Sequence, residues 1–234
     1  MKNILLLLIV SALGVPSLYS QAAKLQASDL QPVSVSVASE RVTDTDAIRV
    51  IKDAAVKEFD EPTFAKLKGT GFKDGTIEVK VLSKFLKDAP DFARGFIGVA
   101  FRINEDNSKF ECIYLRPDNA RAANQLRRNR SLQYFSFPDF KFERLRKEAA
   151  GEYESYADMG MNEWIDIRIE VKGAQAKLFL NGSKQPALIV NELKHGPEAS
   201  GAVGLWVDVG TEGYFADLKV RGAVSIGAPR GRRQ

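Results

Sequence analysis

Only one cysteine, Cys112, and one histidine, His195, occur among the 234 residues. A lone thiol excludes an intramolecular disulfide and with it a disulfide scaffold. A lone histidine excludes a multi-histidine metal site and any mechanism needing two imidazoles. After the first fifteen residues no apolar run approaches the ~20 residues of a membrane-spanning helix, so stable membrane insertion is not expected. No glycine-rich phosphate loop is present. A basic fold is missing too. The net charge is +4 and the pI about 9.1, but Lys2, Arg230, Arg232 and Arg233 carry four positive charges at the two ends. Setting them aside leaves the folded part neutral. A nucleic-acid protein carries its basic footprint on the fold, so nucleic acid is not an expected partner. Hydrophobic residues at 44% and charged residues at 27% exclude wholesale disorder.

Residues 1–20, MKNILLLLIVSALGVPSLYS, place one lysine before a short apolar run and end on a small residue. That is the pattern of a secretory signal peptide, with cleavage near Ser20–Gln21 and a secreted or periplasmic product. Residues 21–29 form an extension, 30–222 a single domain, and 223–234, rich in Arg, Gly and Pro, a disordered basic tail.

Within the domain the hydrophobic period is two. Val33, Val35 and Val37 alternate with serines. Ile77, Val79 and Val81 alternate with Glu78 and Lys80. Ile97, Val99, Phe101 and Ile103 form one face of a strand, and residues 110–116 form the next. Ile165, Ile167, Ile169 and Val171 alternate with Asp166, Arg168 and Glu170. Residues 177–180 end at Asn181-Gly182, a tight-turn signal. Residues 203–207 and 214–220 read as a closing hairpin. Residues 141–149 predict a short helix, and 121–128 a further helical turn. Eight strands separated by turn signals predict an all-β antiparallel sandwich. Ile97, Val99, Phe101, Ile113, Leu115, Ile165, Ile167 and Ile169 should point between its sheets.

The stretches GTIEVKV, GFIGVAFRI, FECIYLRPDN, EWIDIRIEVKGAQAKLFLNG and GAVGLWVDVGTEGYFADLKV resemble the concanavalin A-like lectin/glucanase superfamily. Within it the likeness is to laminin-G-like jelly rolls and to the 3-keto-disaccharide hydrolase-like domains of secreted bacterial proteins. It covers residues 74–221. It implies a two-sheet jelly roll and either carbohydrate binding or glycosidic-bond cleavage. Many glucanases of the superfamily carry Glu-x-Asp-x-x-Glu on one strand, which supplies nucleophile and acid/base. Here the nearest string is Glu163, Asp166 and Glu170, whose spacing differs and which reads as a solvated face. The resemblance also leaves open a calcium site made by distant loops; no cofactor or metal ligand is assigned.

The segment 96–139 holds the candidate site. Between residues 116 and 130 five arginines face one acid, Asp118, and aromatic residues follow at once. Guanidinium forks and amides hold hydroxyls or anions, and aromatic faces stack on sugar rings. Pairing of strands 96–103 and 110–116 should put Arg102 near Cys112, Ala100 near Tyr114 and Gly98 near Arg116. The candidate ligand-binding residues are therefore Arg102, Tyr114 and Arg116 on the face away from the core. Gly98 and Ala100 would form its floor, Asn119 and Gln133 its rim, and no acid would lie beside either arginine. His195 reads as a loop residue and Cys112 as a buried inert thiol. A glycan or small saccharide is the expected ligand of a monomeric protein. A glycosidase of the keto-disaccharide hydrolase-like class and a non-catalytic envelope interaction module are the alternatives.

Overall fold

The structure, a computed structural model, describes residues 25–222 and the backbone of 224–225. The expected signal peptide, residues 21–24 of the extension and most of the basic tail lie outside the described residues.

Sixteen strands follow in order: β1 (Leu30–Val33), β2 (Val35–Val42), β3 (Thr45–Lys52), β4 (Phe64–Leu67), β5 (Thr70–Gly71), β6 (Gly75–Phe85), β7 (Ile97–Ile103) and β8 (Phe110–Leu115). The second half comprises β9 (Leu132–Phe137), β10 (Glu154–Ser155), β11 (Ile165–Lys172), β12 (Gln175–Leu180), β13 (Leu188–Val190), β14 (Ala202–Val207), β15 (Thr211–Arg221) and β16 (Val224–Ser225). Three short helices, α1 (Pro117–Ala120), α2 (Gln125–Arg128) and α3 (Phe142–Glu148), lie in the connections that flank β9. The helical turns expected around 121–128 and 141–149 are thus present.

Two seven-stranded antiparallel sheets form the sandwich. The first runs β1-β4-β14-β7-β8-β9-β10 and the second β13-β12-β11-β6-β15-β3-β2. The eight residues expected between the sheets are all buried. The close approach of the sheets shows at Gly213 of β15, where a Cβ would fall 2.5 Å from Val207 Cγ1 and 3.2 Å from Ile97 Cδ1 of the first sheet. In the second sheet the period-two pattern has a plain outcome. Ile165, Ile167, Ile169 and Val171 of β11 are buried, whereas Asp166 and Lys172 are exposed. The first sheet differs, because every residue of β7 and β8 is buried. Both of its faces are covered, as in a sheet sandwiched between layers.

Two sequence expectations change. Residues 33–37 are two strands in different sheets, separated at Ser34, whose φ of +50° turns the chain. Residues 203–207 and 214–220 do not pair as a hairpin. They belong to β14 and β15 in opposite sheets, and residues 208–210 carry the chain across. Leu25 and Ala27, ahead of the expected boundary at residue 30, pack against the core.

Candidate functional site

Five connections converge at one end of the first sheet: 53–63, 86–96, 116–131, 138–153 and 208–210. Between them opens a cleft of about 270 Å³. Four phenylalanines, Phe59, Phe92, Phe96 and Phe142, form its apolar wall. Phe59 meets Phe92, Phe96 and Phe142 edge-on at centroid distances of 5.7, 6.5 and 6.1 Å. Most of these rings are satisfied by each other, but Phe92 is 52% exposed at the mouth.

The polar wall is built from guanidinium groups. Arg94, Arg116, Arg127, Arg130 and Arg146 all line the cleft. Arg116 is the buried one. It donates to Tyr114 Oη at 2.5 Å and to Glu154 Oε1 at 3.3 Å, and its guanidinium lies 5.0 to 5.9 Å from the rings of Tyr114, Phe142 and Phe96. Such desolvated cation–π contacts are worth on the order of 2 kcal/mol. Arg127 donates to Asp118 at 2.7 Å and to Asn119 Oδ1 at 3.1 Å. Arg146 and Arg130 both pair with Glu154. Arg94 sits below the usual arginine range, first because it is partly buried and then because Arg127 stands beside it. Arg130 is lowered likewise, by burial and then by Arg146.

Behind this wall lies a carboxyl pair. The backbone N–H of Asp60 donates to Asp208 Oδ2 at 3.1 Å, and Lys52 Nζ donates to Asp208 Oδ1 at 2.5 Å. Asp60 itself accepts the Phe142 N–H at 2.7 Å, which ties the 53–63 loop to α3. Asp60 holds a φ of +53°, a left-handed conformation that Asp and Asn tolerate better than other residues with a side chain. Burial, and then the neighbouring Asp208, push its carboxyl up to about 7, against the pull of the Phe142 N–H, Arg116 and Lys141. An acid raised on folding binds a proton in the folded state that the unfolded chain has released. Its contribution to stability is complete below about 4 and is lost as pH rises through about 7. Asp60→Asn keeps the acceptor for Phe142 and removes the titration. The variant should therefore gain about 2–3 kcal/mol relative to the parent between about pH 4.5 and pH 8, read from urea unfolding. An unchanged difference across that range would show that Asp60 is ionised throughout.

The structure brings together three of the five expected site residues and separates two. Tyr114, Arg116 and Asn119 line the cleft. Gln133 does not reach the rim. It lies buried in β9, and its Nε2 donates to the carbonyls of Tyr134 and Tyr153. Arg102 does not join them either. The β7–β8 register pairs Gly98 with Tyr114 and Ala100 with Cys112, two residues away from the expected alignment. Arg102 sits at a bulge, with φ +53°, where the β14 pairing shifts between Ala202 and Gly204. Its side chain is fully buried at the other end of β7 and donates to the carbonyls of Lys73, Gly173 and Gly196 and to Asp74. Both arginines therefore have acids beside them, Asp74 and Glu154, contrary to expectation.

The expected floor is also filled. A Cβ at Gly98 would fall 2.5 Å from Tyr114 Cα. Over that row the Tyr114 and Trp206 rings pack at 4.8 Å, and Trp206 Nε1 donates to Glu61 O. The face is closed by the 53–63 loop, and only its end is open. Of the arginine run, Arg121 pairs with Asp158 and Glu163 and Arg128 lies over Tyr156, away from the cleft. Sequence reasoning missed Asp60, Arg94, Arg146 and Phe92, each on a loop or helix far from the run in sequence. Cys112 is buried, and burial pushes its thiol well up. His195 is half-buried: its backbone N–H donates to Glu111 Oε1 and its ring Nε2 lies 2.8 Å from Phe137 O. Among the described residues no group of three or more His, Cys, Asp or Glu side chains is placed to hold a metal ion, and no helix is long and apolar enough to cross a membrane.

No protein-family model matches the chain, and no curated protein matches it in sequence. Among solved structures, the carbohydrate-binding module CBM66 from Bacillus subtilis is similar, with a TM-score of 0.51 and 11% identity over 80% of this chain and 95% of that one. A Bacillus subtilis protein of unknown function with a galectin-like fold aligns with a TM-score of 0.49 and 12% identity, covering 85% of this chain and 91% of that one. The likeness to CBM66 concerns the fold. It agrees with the two-sheet antiparallel sandwich that the strand pattern predicts.

Proposed function

We propose that this chain is a carbohydrate-binding jelly-roll protein of the exported kind, acting as a monomer, whose saccharide enters the cleft at the end of the first sheet. The single observation that carries the reading is the cleft's makeup, an exposed aromatic face at the mouth with a wall of hydrogen-bond donors behind it. A pyranose ring offers the matching surfaces, an apolar face of C–H groups and a rim of hydroxyls. The shared fold of CBM66 is in keeping with it. The resemblance to laminin-G-like and keto-disaccharide hydrolase-like domains and the leader at 1–20 point to the same setting outside the cytoplasm.

Phe92 makes the cleanest test, because it is half exposed and its loss leaves no buried void. Phe92→Ala should weaken binding of any glycan hit about tenfold or more, as expected when an aromatic platform is removed, while the melting temperature moves little. Equal affinity of the variant and the parent would remove the platform from the account.

One observation favours a second reading, cleavage of a glycosidic bond. Asp60, protonated up to about pH 7, has the state required of a general acid, and Asp208 adjoins it. A reducing-sugar assay on bound glycans decides between the two. Release of sugar ends that Asp60→Asn abolishes would make the protein an enzyme. Binding without release would leave it a module.

A further inference from the structure

The cleft contains more positive charge than its own carboxylates answer. Asp118 is shared by Arg127, at 2.7 Å, and Arg94, at 3.8 Å. Glu154 is shared by Arg116, Arg130 and Arg146. Asp208 is matched by Lys52. Five guanidinium groups thus form ion pairs with two carboxylates, and the one further carboxyl facing them, Asp60, attracts Arg116 without an ion-pair contact. The deficit falls on two of the five. Arg130 makes no side-chain hydrogen bond among the described residues, and its contact with Glu154 is 3.6 Å. Among the described residues the Arg94 side chain donates hydrogen bonds only to the carbonyls of Asp91 and Ala93, with the Asp91 carboxylate acting on it from nearby.

We propose that the saccharide bound here is acidic, carrying a carboxylate or sulfate that the surplus guanidinium groups grip, Arg94 and Arg130 first among them. This rests on the cleft being the saccharide site. A neutral sugar could accept hydrogen bonds from these arginines but would leave like charges crowded in a partly dry space. An anion removes that crowding and takes forked, charge-assisted bonds from the same groups. The depressed basicity of Arg94 and Arg130 fits this, since each is crowded by a neighbouring arginine as well as by burial. With its carboxyl raised to about 7, Asp60 carries only part of a negative charge at neutrality and competes with an anion less than an ordinary carboxylate would.

The test pairs each acidic probe with its neutral counterpart. The intact protein is titrated calorimetrically with trigalacturonate, its methyl ester, sulfated cellotetraose and unsulfated cellotetraose. At least one acidic probe should bind about tenfold or more tightly than its neutral partner. That preference should shrink between about 50 and 300 mM salt. Arg130→Gln and Arg94→Gln should each weaken the acidic probe about tenfold and the neutral one by clearly less, so that the acid-over-neutral preference shrinks, with Arg130→Lys retaining part of the difference. Which acidic probe binds tells carboxylate from sulfate. Should a variant fail to fold, the comparison of acid with ester on the parent protein still decides. If neutral and acidic partners bind equally and Phe92→Ala weakens both, the saccharide site stands and the acidic ligand is wrong. If no acidic probe binds and a broad neutral glycan panel is also silent, both fail.

Discussion

Arg102→Ala should lower stability by about 3–5 kcal/mol, the range found when one partner of a buried charge network is removed. The guanidinium has no exposed surface and donates to three backbone carbonyls and one carboxylate. Those carbonyls belong to the β5–β6, β11–β12 and β13–β14 connections, so a single side chain joins three loops at the far end of the sandwich. Its removal leaves three carbonyls without this donor in a space water enters poorly, together with a void. Urea unfolding of the variant reads the loss. Saccharide binding by the folded fraction should be unchanged, because the cleft lies at the opposite end of β7. A loss below about 1 kcal/mol, typical of surface substitutions, would show that the loops hold without it.

Its neighbour should be nearly as costly for a different reason. Phe101→Ala should lose about 3–5 kcal/mol through lost burial and the cavity left behind. Phe101 is fully buried and meets Phe72 edge-on at 6.4 Å and 87°. A smaller loss would mean that the surrounding side chains collapse into the space, which close packing between two sheets resists.

These adjacent residues also mark what the sequence could and could not say. Phe101 belongs to the alternating series Ile97, Val99, Phe101, and period two places it on the inner face without further information. Simple alternation assigns Arg102 to the opposite series with Gly98 and Ala100. A bulge breaks alternation at that point, and nothing in GFIGVAFRI announces one, since Arg102 takes a positive φ without being glycine. The same local logic explains the register. The turn after β7 uses Asn104, whose side chain accepts the Lys109 N–H and whose own N–H donates to Lys109 O, and this sets the pairing two residues from the simplest alignment. The sandwich was legible because strand alternation is local. The cleft was legible only where residues adjoin a strand end, as Tyr114, Arg116 and Asn119 do. Asp60, Phe92, Arg94 and Arg146 come from three other connections, and only the sheet brings them together.

The central claim is that a saccharide occupies the cleft, and amide NMR spectra of the protein during titration with trigalacturonate and with a neutral glycan hit test it most directly. Shifts should concentrate at Phe92, Arg94, Asn119, Arg130 and Phe142, and Phe92→Ala should reduce them. Shifts gathered instead on the outer face of the second sheet, around Arg168 and Phe179, or no shifts with any glycan, would contradict it.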